Sequence, residues 1–190
     1  MQDGEEQEGT VWPAYVDFLS TFVFVLIVFI GSLLFLLSGD IQKGVMDGLV
    51  NPVEADCKSA GLPCSRDGSK IVVPLTGKVE FGTNQVRVQK PQEDFLRQVG
   101  KLFERPGIKR IVVKGTADMQ RCKSDPFCNW DISARRALEV IKFYYDCIDC
   151  GYGEKVKKLL VLSGEGDTSS TGVTSSDRRV DIILDFNANR

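Results

Sequence analysis

Histidine is absent from this chain of 190 residues. It is the side chain that most often acts as a general base near neutral pH, and it is a common zinc ligand. Its absence removes the commonest basis for acid–base catalysis and for a metal site. The sequence also shows neither a nucleotide-binding motif nor a nucleophile paired with a base. We therefore expect a protein that is not an enzyme and that holds no metal and no cofactor.

An excess of positive charge is also missing. The chain has 24 Lys and Arg against 26 Asp and Glu, which gives a formal net charge of −2. It has no basic stripe with interleaved aromatic residues, so nucleic acid is excluded as a partner. The tail at residues 1–10 is acidic and contains neither Lys nor Arg. The positive-inside rule therefore gives no orientation for the apolar segment that follows.

An uncharged apolar run extends from Phe18 to Leu37. About 20 such residues cross a hydrocarbon core of roughly 30 Å. A cleaved signal peptide is the alternative, but its apolar region usually has about 7–15 residues, follows basic residues and ends at a small-residue cleavage site. Here the preceding tail is acidic and no Ala-x-Ala follows the run. We predict a retained transmembrane helix over residues 11–37.

Residues 38–69 are predicted to connect this helix to a folded domain. Ile41, Val45 and Leu49 recur at four-residue spacing, which is typical of an amphipathic helix at a membrane surface. The following residues, 51–69, are rich in Pro, Gly, Ser and Asp and are predicted to form a linker. A plain linker over the whole segment is the alternative.

An α/β domain is predicted over residues 70–190. Its hydrophobic pattern alternates between strand and helix periods in the order β-α-β-α-β-β. This order favours an α+β sandwich in which helices cover one face of a mixed sheet. Asp131 or Ser133 is the predicted cap of the second helix. The predicted strands are IVVPL, KVEF, 108–114, 158–163 and 179–186, and the predicted helices are 91–105 and 131–145.

All six cysteines follow the apolar run and form three near-neighbour couples. An even number of clustered cysteines suits an oxidising compartment, so this domain is predicted to be exported. Unrelated buried thiols and a redox role for the C-x-x-C couple are the alternatives, and zinc is disfavoured. The predicted disulfides are Cys57–Cys64, Cys122–Cys128 and Cys147–Cys150.

A carboxylate, Asp17, stands at the start of the apolar run. At a helix centre in a membrane it would cost roughly 2.5–3.5 kcal/mol. Ser20 and Thr21 share its helix face, and a carboxylate backed by hydroxyls suits an ion-binding site inside a helix bundle. Alternatively, Asp17 marks the helix start, where the helix dipole favours it, and the hydroxyls bond to their own backbone.

The string from Tyr15 to Ser20, Tyr-x-Asp-Phe-x-Ser, resembles the transmembrane segment of the MotB and ZorB family. MotB proteins are flagellar stator subunits, and ZorB proteins belong to the Zorya anti-phage system. The spacing from Pro13 to Asp17 is also similar to that in ExbD and TolR, which end in a different small domain.

The second half resembles the OmpA-like domain from about residue 70 to residue 187. The family motifs are G-H-T-D, N-x-x-L-S-x-x-R-A and N-R-R-V-E-I. Thr116 stands where the family has histidine, and Asp177 where it has asparagine. The corresponding strings here are GTAD at 115–118, NWDISARRA at 129–137 and DRRVDI at 177–182.

The OmpA-like resemblance implies peptidoglycan binding through Asp118 and Arg136. A carboxylate suits the ammonium of a diaminopimelate group, and a guanidinium suits its carboxylate. Asn129, Arg178 and Arg179 belong to the same motifs and are expected at the same site. The alternative is an internal Asp–Arg ion pair.

Together, the two resemblances imply the B subunit of a MotA/MotB-type ion-driven motor. Such subunits form a homodimer inside a ring of multi-span MotA or ZorA subunits, expected to be pentameric. Ions, H⁺ or Na⁺ with H⁺ expected, would cross at Asp17, and residues 40–50 would plug the free complex. The resemblance places the protein in a bacterial inner membrane, with its N-terminus cytoplasmic and the OmpA-like domain periplasmic.

Both a flagellar stator and a Zorya-like defence motor match this architecture. The short chain, the missing basic tail and the six cysteines fit a non-flagellar motor at least as well. The competing class is a structural protein that binds the cell wall and is tethered by a simple membrane anchor. A simple membrane anchor does not require a carboxylate at position 17.

Overall fold

The computed structural model describes residues 8–82, 85–118, 127–147, 150, 152–168 and 177–187. The chain divides into two compact units, with the division between Val45 and Met46. The first unit is helical. The second combines the end of the same helix with an α/β domain.

Helix α1, Glu8–Ser59, contains the predicted membrane segment. Side chains 12–39 are exposed, and they are apolar enough, over a sufficient length, to cross a membrane. The helix continues past residue 37, where the span was predicted to end. Glycine in a helix costs only about 1 kcal/mol relative to alanine. Gly39 and Gly44 therefore do not suffice to stop it.

The last part of α1, residues 46–59, packs on the second unit. Val50, Val53 and Cys57 are buried at the three- and four-residue spacing of one helix face. Their burial offsets the cost of Pro52, which lies inside the helix. The predicted linker over 51–69 is therefore wrong, because residues 51–59 are helical and residues 65–67 form a strand.

Polar contacts hold this helical segment to the first strand and to the loop before the third. Arg66 donates to the carboxylate of Asp47 and, over 2.7 Å, to Oδ1 of Asn51. Arg105 lies 2.6 Å from Asp56. Leu49 packs against the core, whereas Ile41 and Val45 are exposed, so the predicted apolar stripe is not one uniform surface.

The strands in the described residues are β1 Ser65–Asp67, β2 Lys70–Pro74, β3 Arg110–Gly115, β4 Leu160–Gly164 and β5 Val180–Asp185. They form one sheet of order β1-β2-β5-β3-β4, and β3 and β4 are its one parallel pair among these strands. This mixed sheet confirms the predicted fold class. The unpredicted β1 occupies one edge, and KVEF at 78–81 forms no strand.

The core is built from alternate residues of the three central strands. Ile71, Val73, Ile111, Val113, Ile182 and Leu184 are fully buried, as the period of two requires for one sheet face. The other helices in the described residues are α2 Lys90–Gly100, α3 Cys128–Asp146 and α4 Glu154–Leu159, and a 3₁₀ turn spans Lys101–Glu104. Leu96 and Val99 of α2, together with Ala137 and Val140 of α3, belong to the same core.

Helix α3 lies very close to the parallel strands because two glycines face it. Gly115 and Gly164 are paired across β3 and β4. A Cβ at Gly115 would overlap the carbonyl of Ser133, and one at Gly164 would lie 2.9 Å from Cβ of Ala134. This close approach places the first turns of α3 beside the end of β3.

The start of α3 differs from the prediction. Phe127 is its N-cap residue, so neither Asp131 nor Ser133 caps the helix. Asp131 instead pairs with Arg135, and the Ser133 hydroxyl accepts a hydrogen bond from the amide of Gly166.

Two of the three predicted disulfides lie within the described residues. Cys57 is joined to Cys64, which ties the end of α1 to the segment before β1. Cys147 is joined to Cys150 just after α3. The predicted partner of Cys128, Cys122, lies outside the described residues.

Candidate functional site

The three OmpA-like motifs meet where β3 ends, α3 begins and β5 begins. The amide of Thr116 donates to the carbonyl of Arg179 over 2.9 Å. The Thr116 hydroxyl donates to the carbonyl of Asp177, also over 2.9 Å. Thr116 is fully buried. The residue that replaces the family's histidine therefore joins the first motif to the third.

Asp118 forms an ion pair with Arg178. Nη1 of Arg178 lies 2.9 Å from Oδ2 of Asp118, and the two side chains are 18% and 9% exposed. Nε of Arg178 donates to the carbonyl of Phe81 over 3.3 Å. An internal ion pair was the alternative to a ligand site. The pair is present, and the partner of Asp118 in it is Arg178.

Arg136 is almost completely buried, with 1% of its surface exposed. Its guanidinium donates to three backbone carbonyls, those of Gln85 at 3.1 Å, Thr116 at 3.2 Å and Gly82 at 3.3 Å. It also lies over the Phe81 ring, 5.4 Å from the centroid. Arg136 thus ties the loop before α2 to the end of β3.

Burial lowers the pKa of Arg136 to about 10, because a buried charge loses its hydration. The nearby carboxylate of Asp118 acts in the opposite direction and raises that pKa, while Arg178 lowers it. Arg136 remains a cation at neutral pH. Its role in ligand binding stays a prediction.

Asn129 positions the backbone of the same site from the first turn of α3. Its Nδ2 donates to the carbonyl of Asp118 over 3.2 Å and to Oδ2 of Asp167 over 3.3 Å. Asp167 follows β4 and belongs to none of the three motifs. Sequence reasoning missed it, because only the pairing of β4 beside β3 brings it near the first motif.

Arg179 contacts a second pair of carboxylates. Its guanidinium lies 3.4 Å from Asp181 and 3.8 Å from Asp177. Asp181 is 7% exposed, and its Oδ1 has no hydrogen-bond partner in the described part of the chain. Burial raises the pKa of Asp181, although Arg179 acts to lower it. Arg178 and Arg179 are adjacent in the sequence but therefore contact different carboxylates.

In α1, Asp17, Ser20 and Thr21 are all exposed. The Ser20 hydroxyl donates to the backbone carbonyl of Asp17 over 2.9 Å. This is the bond to its own helix that was the alternative to ion binding. The carboxylate of Asp17 lies on the surface of a helix suited to a membrane.

No protein-family profile and no curated protein matches this sequence. Several solved structures match this chain in fold. A MotB-like protein from Desulfovibrio vulgaris superposes with a TM-score of 0.57 at 21% identity, over 75% of this chain and 95% of that one. The periplasmic domain of Helicobacter pylori MotB superposes with a TM-score of 0.52 at 18% identity, over 66% of this chain and 80% of that one.

A third solved structure is the cell wall anchor of the type VI secretion system from Pseudomonas aeruginosa. Its TM-score is 0.50 at 20% identity, over 72% of this chain and 96% of that one. The second unit thus has the OmpA-like α/β fold. More narrowly, its fold is that of the periplasmic domains of MotB-like proteins, which confirms the predicted resemblance in fold.

Proposed function

We propose that this protein is the B subunit of an ion-driven membrane motor and that its OmpA-like domain anchors the motor to peptidoglycan. The observation that supports this proposal most strongly is the MotB-like fold of the second unit, in which Asp118 and Arg178 place a carboxylate and a guanidinium side by side where the three motifs meet. A diaminopimelate centre has an ammonium and a carboxylate. The pair offers one group of the opposite charge to each of them.

Binding at this site exchanges one ion pair for two. The ligand ammonium replaces Arg178 at Asp118, and the ligand carboxylate takes the freed guanidinium of Arg178. Both protein groups keep a charged partner, so neither is left buried and unpaired. The partial exposure of Arg178 suits it to this exchange, whereas the donors of Arg136 are directed at backbone carbonyls. In this proposal Arg136 and Asn129 position the backbone of the site, and the ligand contact that the resemblance implies for Arg136 is assigned to Arg178 instead.

Sedimentation with purified sacculi tests wall binding, using a soluble fragment of residues 46–190. Arg178→Glu places a like charge where the ligand carboxylate must bind, so it replaces a charge-assisted contact of about 1.5–3 kcal/mol by repulsion. We expect binding to weaken by roughly tenfold or more. Asp118→Lys is expected to have a similar effect because it repels the ligand ammonium.

Arg135→Ala is the matched control, because Arg135 lies on α3, which also contributes to this site, is exposed and pairs with Asp131. It should sediment like the unchanged fragment. Circular dichroism checks that each variant is folded. An unchanged fragment that fails to sediment with sacculi would contradict the wall-anchor role.

Ion coupling is assigned to α1. The helix is long and apolar enough to cross a membrane, and Asp17 is the acidic residue next to its apolar run. In this proposal two copies of α1 lie inside a ring of multi-span MotA- or ZorA-like subunits in the inner membrane, with the N-terminus cytoplasmic. Protons cross at Asp17 while the OmpA-like domain holds the dimer to the wall. The motor serves defence of the Zorya type or flagellar rotation.

A wall-binding tether without motor activity is the second candidate function. The likeness in fold to the secretion-system cell wall anchor favours it. The two candidates differ in their need for Asp17, since a tether requires only an apolar helix. The neighbouring genes also distinguish them. A multi-span MotA-like neighbour supports the motor, and flanking helicase or nuclease genes support the defence role.

A further inference from the structure

A cluster of a different kind lies at the end of α3, opposite the end that contributes to the OmpA-like site. Helix α3 ends at Asp146, and the amide of the next residue, Cys147, donates to the carbonyl of Phe143 over 3.0 Å. Cys147 and Cys150 form a disulfide, and both are half-buried. The two residues are therefore partly accessible to solvent.

Arg97 of α2 is directed at this disulfide. Its Nη1 lies 3.1 Å from Sγ of Cys147 and 3.3 Å from Sγ of Cys150. The guanidinium is held over the Phe143 ring, 5.7 Å from the centroid, and 3.9 Å from the carboxylate of Glu93. Two neighbours thus fix a cation against both sulfur atoms.

This contact has little effect on the oxidised form, because a disulfide sulfur is a weak acceptor. It has a large effect on the reduced form. A guanidinium beside a thiolate stabilises the charged state and makes it a better leaving group. The end of a helix has partial negative charge, which would disfavour a thiolate at Cys147, and Arg97 offsets that effect.

The other described disulfide has a different setting. Cys57 is fully buried in the core, and its bond to Cys64 joins the end of α1 to the residue before β1 over a separation of seven residues. The Cys147–Cys150 bond spans only three residues. A shorter loop restricts the unfolded chain less, so this disulfide stabilises the fold less than the other.

We propose that Cys147 and Cys150 are a thiol–disulfide exchange site for a dithiol reductant, with Arg97 as its positioning residue. A thiolate of the reductant attacks one cysteine sulfur, and the Cys147–Cys150 bond breaks. The other sulfur leaves as a thiolate beside Arg97. The second thiol of the reductant loses its proton, attacks the mixed disulfide and releases the first cysteine, which takes up a proton. The reductant is oxidised to a disulfide, and the two cysteines gain two electrons.

Timed reduction of the full-length oxidised protein in detergent micelles tests this site. Dithiothreitol serves as the dithiol. Samples are quenched with acid, alkylated and mapped by mass spectrometry, so that each cysteine pair is followed separately. We expect Cys147–Cys150 to be reduced well before Cys57–Cys64. Arg97→Gln should slow this step roughly threefold to tenfold, and Arg97→Lys should slow it less.

The Cys57–Cys64 pair is the internal control, because loss of the fold would accelerate the reduction of both pairs. Arg135→Gln controls for the loss of an exposed arginine elsewhere in the domain and should behave like the unchanged protein. In the reduced protein, the pH midpoint of cysteine alkylation should move upward in Arg97→Gln. Equal reduction rates of the two pairs, or a rate at Cys147–Cys150 that Arg97→Gln does not lower, would overturn the proposal.

Discussion

Asp181 is a buried carboxylate whose effect on stability depends on pH. Burial raises its pKa above the ordinary value of 3.8. The folded protein therefore binds a proton that the unfolded chain releases, over a range that begins near 3.8. In that range the free energy of unfolding falls as the pH rises. Above the raised pKa, the buried charge destabilises the fold by a constant amount.

Asp181→Asn removes this charge and keeps the shape of the side chain. We expect the variant to unfold at higher urea concentration than the unchanged protein at pH 7, with the difference disappearing near pH 3. Urea titrations of fragment 46–190 at both pH values measure it. A variant less stable at pH 7 would mean that the lost contact with Arg179 outweighs the relief of burial.

Gly115 allows α3 to approach β3, and a methyl group there would overlap the carbonyl of Ser133. Overpacking of this kind typically costs about 1–3 kcal/mol. Gly115→Ala should therefore lower the free energy of unfolding of fragment 46–190. Gly48→Ala is the matched control, because Gly48 is helical and has open space around its Cα. It should raise stability by up to about 1 kcal/mol. A neutral Gly115→Ala would show that α3 can move away from the strand at little cost.

The residue motifs predicted which segments meet but not which side chains pair. Three strings with the right order and spacing are enough to place Asp118, Asn129 and Arg178 at one edge of the sheet. Which arginine pairs with Asp118 depends on how deeply each arginine is buried. The guanidinium of Arg136 is held by the loop carbonyls of Gly82 and Gln85, and Arg178 is left as the partner of Asp118. No periodicity in the sequence reports where a loop carbonyl points.

At the scale of elements, β2 to β5 and the two long helices of the domain were predictable because their apolar residues recur with the period of a strand or of a helix. The short edge strand β1 was not predictable in this way, because its three residues are all exposed. The linker prediction failed for residues 51–59, because it relied on the Pro, Gly, Ser and Asp content of the whole segment 51–69 and gave no weight to a weak helical period of apolar residues. The spacing of Val50, Val53 and Cys57 can be recognised as a buried helix face only when the surface that covers these residues is known. The conformation of residues 51–59 is therefore determined by burial against the rest of the domain and not by their local propensity.

The helical segment 46–59 should therefore be part of the folding unit. Val50 and Val53 are buried, and burying such a side chain stabilises by roughly 1.5–3 kcal/mol. A fragment that begins at Lys70 lacks this helix, β1 and the Cys57–Cys64 bond. We expect it to be several kcal/mol less stable than fragment 46–190, or unfolded, in urea titrations followed by circular dichroism. Equal midpoints would show that the helical segment is dispensable.

At the scale of the whole molecule, one helix belongs to both compact units. Residues up to Val45 form the first unit, and residues from Met46 are part of the second. In the proposed motor, the ion-binding carboxylate and the wall-binding site thus lie on one continuous chain. Loss of either function should stop the motor while leaving the other function measurable. This separability is what allows a motor to be distinguished from a tether.

Asp17 is where the two candidate functions diverge. Inside a ring of A subunits, its charged form must find a donor or water, because lipid offers neither. Uptake of a proton removes that requirement, and the ring can step. Asp17→Asn has nearly the same shape but can neither ionise nor transfer a proton. We expect normal membrane levels, normal co-purification of the A subunit and normal binding to sacculi, with complete loss of motility or phage resistance.

Ser32→Ala is the matched control, since the Ser32 hydroxyl bonds only to carbonyls of its own helix among the described residues, and it should keep full output. Full output from Asp17→Asn would leave α1 as an anchor and the protein as a tether.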